Sequence, residues 1–437
     1  MTPIQISIPN EVIHENKTGL KKTGLALFSI GLLIFLISFT SASEISPVFF
    51  FIFSIGIGSL GALIFFYGQY QNNLIAGVKK NRTMFLDATN KGLLGWATAV
   101  FFTSFYICLY WFPEVFTYAS KPFDWLSMLL RNLPSDQWFL YGALYTVAIG
   151  IMGVRMIIHN RHNRYQIIRT CSVIFFQLGF GFLIPNILLI LNEPGFYFSY
   201  FWPLKYDYLF PGTLDYLMKA PGALGTFMAF WAVMMTFIAL PTFTYFFGKR
   251  WYCSWVCGCG GLSETLGDPY RHLSDKSLTS WKYERYIIHS VLLIIIVLTG
   301  MLWINSYLQG EILGKFTDSF AKVYGFVIGA GFAGVAGVGF YPLMGSRVWC
   351  RFGCPLAAIL GFLQKKLSRF RITTNGAQCI SCGNCSTYCE MGIDVRAYAQ
   401  NGKNIIRSSC VGCGICAEVC PRGVLKLENG PLISKYN

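Results

Sequence analysis

The chain has 437 residues, of which 54% are hydrophobic, 17% aromatic and only 13% charged. Soluble domains carry about 25% charged residues, so this composition argues against a water-soluble enzyme, and the apolar content excludes disorder. The formal net charge is +15; in a soluble chain that would suggest nucleic acid, but in a membrane protein it reports cationic loops on the cytoplasmic side.

Eight apolar runs approach or exceed the roughly 20 helical residues that cross a hydrocarbon core of about 30 Å. They lie near 23–41, 47–69, 93–112, 139–158, 167–191, 223–247, 286–306 and 323–344. The first lacks a small-residue cleavage site and reads as a span, not a cleaved signal. Lys17, Lys21 and Lys22 precede it, the loop at Ser41–Ser46 has no basic residue, and the next loop holds Lys79, Lys80, Arg82 and Lys91. The alternation continues. Of 35 basic residues, only Lys121, Arg131, Lys205, Lys219, Lys315 and Lys322 fall in the four loops assigned outside. The expected topology has both termini in the cytoplasm, in a bacterial inner membrane.

The outer loop at 192–222 holds ten aromatics, among them Phe196, Tyr197, Phe198, Tyr200, Phe201 and Trp202. It reads as an aromatic belt at the lipid–water boundary, with docking of an outer partner as the alternative. These eight runs contain no Asp or Glu, which counts against ion or proton transport as the main role. His289 is the main polar exception, a packed histidine or a contact for quinone or haem; Arg155 and Arg169 sit near inner ends. The run Gly329-Ala330-Gly331-Phe332-Ala333-Gly334 matches a dinucleotide fingerprint. No acidic residue occurs between 319 and 389 to hold a ribose, and the run lies inside an apolar span. Its small residues, Gly325, Gly329, Ala333 and Gly337, recur every four positions and read as a helix-packing face.

Thirteen of the 15 cysteines follow residue 250. Cys379, Cys382, Cys385 and Cys389 form one run; Cys410, Cys413, Cys416 and Cys420, followed by Pro421, form another. Both have the C-x2-C-x2-C-x3-C spacing of bacterial ferredoxins, in which the fourth cysteine of each run ligates the other cluster. The expected ligand sets are therefore Cys379, Cys382, Cys385 and Cys420 for one [4Fe–4S] cluster, and Cys410, Cys413, Cys416 and Cys389 for a second. Gly383, Gly412 and Gly414 permit the tight turns, and strands are expected near 405–407 and 424–427. Glu390 stands where the motif usually has proline. Zinc is disfavoured by eight cysteines without histidine, and disulfides by a reducing compartment.

Two further pairs, Cys253 with Cys257 and Cys350 with Cys354, follow the sixth and eighth runs as C-x3-C motifs. Residues i and i+4 share a helix face, so the four thiols could complete a third cluster if those spans adjoin. Cys259 is a spare or alternative ligand. Packed thiols are the other reading, and it is the one taken for Cys108 and Cys171.

These motifs resemble the polyferredoxin-type membrane iron–sulfur proteins, a 4Fe–4S family that includes NapH, the C-terminal half of NosR, and CcoG. The resemblance covers about residues 165–437. The first motif departs from it, reading Cys257-Gly258 where the family has Cys-Pro. It implies a mostly α-helical integral membrane protein with a small C-terminal α+β ferredoxin-like domain carrying two clusters. The expected domains are a cytoplasmic tail at 1–22, a four-helix region of unassigned role at 23–164, a four-helix core with both C-x3-C motifs at 165–371, and the ferredoxin-like domain at 372–437.

The implied function is electron transfer between the quinone/quinol pool and a redox partner, as a subunit of a quinol dehydrogenase or a ferredoxin/quinone oxidoreductase. The expected partner is a ferredoxin, a flavodoxin or a reductase subunit; nucleic acid is not expected. Six basic residues from Arg347 to Arg371 offer a docking face for an acidic partner, or simply obey the charge rule for inner loops. An assembly or metal-reducing factor is a second class, a redox-sensing regulator a third, and a transporter the weakest.

Overall fold

The computed structural model describes residues 18–70, 91–310 and 314–431. Most of the N-terminal tail, and the loop holding Lys79, Lys80 and Arg82, lie outside the described residues. Among the described residues eight helices are long and apolar enough to cross a membrane: α1 (Gly19–Ile37), α2 (Pro47–Gln69), α3 (Leu93–Trp111), α4 (Gln137–His159), α5 (Arg164–Ile190), α6 (Leu224–Phe247), α7 (Leu278–Tyr307) and α8 (Phe316–Gly339). They alternate in direction. One end of the bundle carries the 192–222 loop; the other, called here the ferredoxin end, carries the C-terminal domain.

The largest departures from the sequence boundaries are at α7 and α8. Ser277 caps α7, its hydroxyl accepting from the Ser280 N–H at 3.1 Å, so the helix begins eight residues before the apolar run. That start adds Glu284, which is buried and pairs with Arg351 at 3.2 Å. α8 starts at Phe316 because its first turns are amphipathic and accommodate Asp318 and Lys322, which hydropathy alone excludes. It ends at Gly339, before a separate turn at Tyr341–Met344 that contains Pro342.

α1 and α2 pack with their backbones in close contact. A Cβ on Gly31 would lie 2.6 Å from the Gly58 Cα, and one on Gly24 would lie 2.5 Å from the Phe65 nitrogen. The small-residue face of α8 is used differently. Tyr206 lies against Gly329, Tyr110 against Gly334 and Trp349 against Gly337. Aromatic rings, not a helix backbone, fill most of that groove. Only near its end does Gly339 meet the backbone of Thr103 on α3.

Several helices contain π-helical turns, notably 176–183 in α5 and 325–336 in α8. Such turns widen the helix and recur at functional sites.

After α8 the chain forms α9 (Pro355–Lys366) and then the C-terminal domain. Its two strands, β1 (Phe370–Thr374) and β2 (Leu425–Asn429), pair antiparallel with Ile372 opposite Leu427. The strand expected near 424–427 is β2. The one expected near 405–407 is a single bridge from Ile405 to Ile372. β1 was not anticipated, because it follows closely on α9 and opens within a basic run.

Candidate iron–sulfur sites

Each ferredoxin-like run turns on left-handed residues between its first three cysteines. They are Ser381 (φ 58°) and Gly383 (φ 82°) in the first run, Gly412 (φ 63°) and Gly414 (φ 81°) in the second. Glycine adopts this conformation at little cost; Ser381 adopts it without that freedom, and no residue pattern signals it. The turns gather Cys379, Cys382, Cys385 and Cys420 around one cavity, and Cys389, Cys410, Cys413 and Cys416 around another. None of the cysteines is in a disulfide. The Val424 N–H donates to the Cys420 sulfur at 3.4 Å. Burial pushes the Cys385 thiol up to about 12 and Cys410 up to about 11. Thiols so placed keep their protons until a metal replaces them. Four thiols and no histidine around each cavity make a donor set that fits a [4Fe–4S] cluster.

The second run is clasped by the membrane helices. The Tyr165 hydroxyl donates to the Gly412 carbonyl at 2.9 Å, and the Gln166 amide to the Cys413 carbonyl at 2.9 Å. Ser254 reaches the Val411 carbonyl at 2.8 Å, and Gln364 the Cys410 carbonyl at 2.8 Å. Ser254 neighbours Cys253, so the first C-x3-C motif abuts the second run directly. The first run lies farther out, where Ile380 is 57% exposed.

Cys253, Cys257, Cys350 and Cys354 are all buried in a single core cluster. Cys350 lies within electrostatic reach of Cys253 and Cys257, and Cys354 of all three others. Cys354 also caps α9, accepting from the Ala357 N–H at 3.4 Å; a helix N-terminus favours a thiolate. Cys259 lies close to Cys257, within interaction range of its thiol.

This motif does not stop at the membrane edge. The Trp255 carbonyl accepts from Ser172 at 3.1 Å, the Val256 carbonyl from Gln177 at 2.8 Å and the Gly258 carbonyl from Tyr145 at 2.9 Å. Ser172 is about 12 Å from the ferredoxin end of α5 and Gln177 about 20 Å, at 1.5 Å per residue. The segment after α6 therefore climbs back into the bundle.

The 192–222 loop descends to meet it. The Tyr252 hydroxyl donates to the Ser199 carbonyl at 3.0 Å, and Phe201 packs on Tyr252 with ring centroids 5.3 Å apart. Phe196 and Phe201 are 1% and 2% exposed, so this part of the loop is an inserted plug and not a belt at the lipid boundary. Irregular backbone at this depth is tolerated because protein surrounds it. The same contact explains Gly258. A Cβ there would strike the Tyr200 hydroxyl, and would lie 2.8 Å from the Gln177 amide oxygen and 2.9 Å from the Tyr145 hydroxyl. A Gly258→Ala variant is expected to lose about 1–3 kcal/mol of stability through overpacking, measurable as earlier thermal unfolding in detergent. An unchanged midpoint would mean that the plug is not tightly seated.

Between this motif and the second run lies a buried ionic network. Glu264 pairs with Arg169, with Arg271 at 2.8 Å and with Arg347 at 2.6 Å. Glu390 pairs with Arg271 at 3.0 Å and Arg347 at 3.1 Å. Asp268 pairs with Arg155 and Arg271, each at 3.0 Å. Arg347 also points to the Cys350 sulfur at 3.6 Å, and Arg271 to Cys413 at 3.9 Å. Glu390, the residue in place of proline, thus ties the outer domain to the membrane core. Burial opposes ionisation of Glu264, but the three guanidinium groups hold it well below the usual carboxylate range. Burial raises Glu390 against the pull of Arg271 and Arg347. Glu264, Glu390 and Cys413 come within 4.8 Å of one another, and both carboxylates are ion-paired to arginines, so the trio is part of the network.

A cavity of about 390 Å³ opens beside the C-x3-C motifs. Its rim, toward the loop end, includes Trp138 and Tyr197, which are 44% and 36% exposed. Its floor includes Cys259, Tyr341, Ser346 and Cys350, and seven tyrosines line it in all. Gly181 and Gly334, both in π-helical turns, form part of its wall.

The remaining sequence candidates fall elsewhere. His289 is exposed on α7, its Nδ1–H donating to the Arg285 carbonyl of the same helix at 2.7 Å; the structure does not bring it to this cavity. Cys108 packs in an aromatic cluster, while Cys171 is exposed on α5, so the packing expectation fails for it. Of the six basic residues from Arg347 to Arg371, Arg347, Arg351 and Arg371 are buried. They bind carboxylates or, for Arg371, the Pro431 carbonyl, which removes half of the supposed docking face. The tyrosine cavity and the ionic network were not foreseen. Arg155 and Arg169 at span ends, with Glu264 and Asp268 on a glycine-rich segment, were the available signals.

Comparison with known proteins gives a match to a 4Fe–4S binding domain at residues 228–277 and 325–374, and to a 4Fe–4S dicluster domain at 371–421. The first two stretches each hold one C-x3-C pair; the third holds both ferredoxin-like runs in full. The chain is 27% identical over 154 residues to YccM of Escherichia coli (strain K12), whose name describes an electron transport protein; this covers 34% of the chain and 43% of YccM. It is 30% identical over 146 residues to the ferredoxin-type protein NapH of the same organism, covering 32% of the chain and 48% of NapH. The chain thus spans just under half the length of these curated relatives. No solved structure matches it.

Proposed function

Because the chain is a polyferredoxin-type iron–sulfur protein of the membrane, we propose that it moves electrons between the quinone pool and a redox partner protein, with its clusters on the cytoplasmic side of a bacterial inner membrane. The observation that carries this reading is the order of the cysteine sets. Cys253, Cys257, Cys350 and Cys354 lie within the bundle, the Cys389, Cys410, Cys413 and Cys416 set abuts them, and the Cys379, Cys382, Cys385 and Cys420 set lies outermost. We assign one [4Fe–4S] cluster to each set, with Cys259 as a spare thiol. Bound there, such clusters supply one-electron chemistry, while the protein supplies position and electrostatics.

The residues around the sets support this role. Arg347 and Arg271 place positive charge beside Cys350 and Cys413, which favours thiolate and added negative charge. Arg396 and Arg422 flank the outermost set beside exposed Ile380. This is the face for an acidic ferredoxin, flavodoxin or reductase subunit, in place of the largely buried basic run. The charge asymmetry of the loops supports the cytoplasmic orientation.

The test uses the full chain, purified without oxygen and reconstituted in liposomes. Reduced naphthoquinol and reduced ferredoxin are added separately, and the clusters are followed by EPR. Reduction by at least one is expected; clusters unchanged by both would end the proposal. Cys259, an extra thiol close to Cys257 and lining a cavity, favours one second reading, a metal-reducing or assembly factor. That reading requires a deletion strain to lose metalloenzyme maturation while keeping normal respiratory electron flow.

A further inference from the structure

The cavity beside the C-x3-C motifs has the chemistry of a binding site for a particular ligand class. Its wall is dominated by aromatic rings, so it suits a flat, apolar molecule. Its volume of about 390 Å³ falls in the range of small-molecule sites, about 300–1,000 Å³. Two of its lining groups, the Ser346 hydroxyl and the Trp349 indole N–H, are buried and have no partner within the protein. Ser346 is fully buried and Trp349 is 6% exposed. A buried polar group without a partner is destabilising, so the pair marks a place where an outside molecule completes the bonding. Indole can only donate, and a hydroxyl can donate as well. The complementary ligand is therefore neutral, aromatic and rich in acceptors.

The position of the cavity narrows this further. Its floor includes Cys350, one of the four thiols of the innermost set, and Cys259. Its rim lies toward the loop end, on the side of the bundle away from the ferredoxin-like domain. A flat ring with carbonyl acceptors, soluble in lipid and placed beside a redox centre, is a quinone. We propose that this cavity seats the head group of a 1,4-quinone, entered from the loop-end half of the bundle, with Ser346 and Trp349 donating to its oxygens. The inference rests on the electron-transfer reading for its ligand class and adds to it a location, a direction of entry and named donors. It also removes His289 from consideration, since that residue faces outward on α7.

The experiment is photolabelling of the full chain in nanodiscs with an azido-1,4-naphthoquinone, followed by mass mapping and competition with unlabelled 2-methyl-1,4-naphthoquinone. Competed label on the peptides carrying Trp138–Tyr145 or Ala333–Trp349 is expected. Ser346→Ala should weaken competition about tenfold, as expected for one lost hydrogen bond to a buried partner. Ala333→Phe, which fills the cavity from the α8 wall without removing a thiol, should abolish the label while iron content stays unchanged. Label elsewhere, or label indifferent to both variants, overturns the site. Two outcomes separate this inference from the reading beneath it. Cluster reduction by quinol with label outside the cavity sinks the site and keeps electron exchange with quinone. Competed label in the cavity with clusters that stay oxidised under quinol keeps the site and sinks that exchange.

Discussion

Full-length protein purified without oxygen should carry about 12 iron and about 12 acid-labile sulfide atoms, whereas a Cys350→Ser, Cys354→Ser double variant should carry about 8, taking four of each per cubane. The argument is one of separation. The two ferredoxin-like sets line cavities of their own, and neither includes a cysteine from the C-x3-C motifs. Removing two thiols from the inner set should therefore abolish one cluster and leave the EPR signals of the other two in place. Cys259→Ser should leave the count at about 12, because four thiols complete a cubane without it. A wild-type count near 8 that the double variant does not change would reduce the inner cysteines to packed thiols.

The second large effect concerns the ionic network. Glu264 meets Arg169, Arg271 and Arg347, all nearly inaccessible to solvent. Glu264→Gln leaves three buried cations facing one charge fewer. Breaking a buried pair in this way typically costs about 3–5 kcal/mol, which should appear as a large fall in thermal stability and in the yield of folded protein. Glu390→Gln should be far milder. Glu390 faces two guanidinium groups where Glu264 faces three, and burial already works against its charge, so losing that charge costs less. Equal losses from the two variants would contradict this division of charge. Glu390→Pro, which imposes the residue found after Cys420, should loosen the C-terminal domain and expose the link after α9 to protease.

How much of this was legible in the chain depends on the range of the interaction. The eight helices follow from hydropathy, which is local. The two ferredoxin-like runs follow from spacing, which is also local, and the comparisons identify the same segment as a dicluster domain. That the inner thiols hold a third cluster is the proposal that the iron count tests. What hydropathy hides is contact between segments distant in sequence. The plug at Ser199–Phe201 looks like an interfacial belt because aromatic residues suit both places; only its bond to Tyr252 tells them apart. Gly258 and Glu390 look like defects in their motifs. Each is explained by a neighbour far away in the chain, Tyr200 and Tyr145 for the first, Arg271 and Arg347 for the second. The tyrosine cavity draws its wall from four of the eight helices and three connecting segments, and no linear pattern announces such a site.

The meeting of two inserted segments at the depth of Gln177 also has an electrical consequence. A unit charge carried across a whole membrane exchanges about 2.3 kcal/mol with the field for every 100 mV. A charge that enters the protein halfway down samples roughly half of that drop, about 1.2 kcal/mol per 100 mV. Respiratory voltage would then oppose or assist this protein only half as strongly as it would a carrier that moves charge across the whole membrane, and turnover in energised vesicles should respond to an ionophore accordingly.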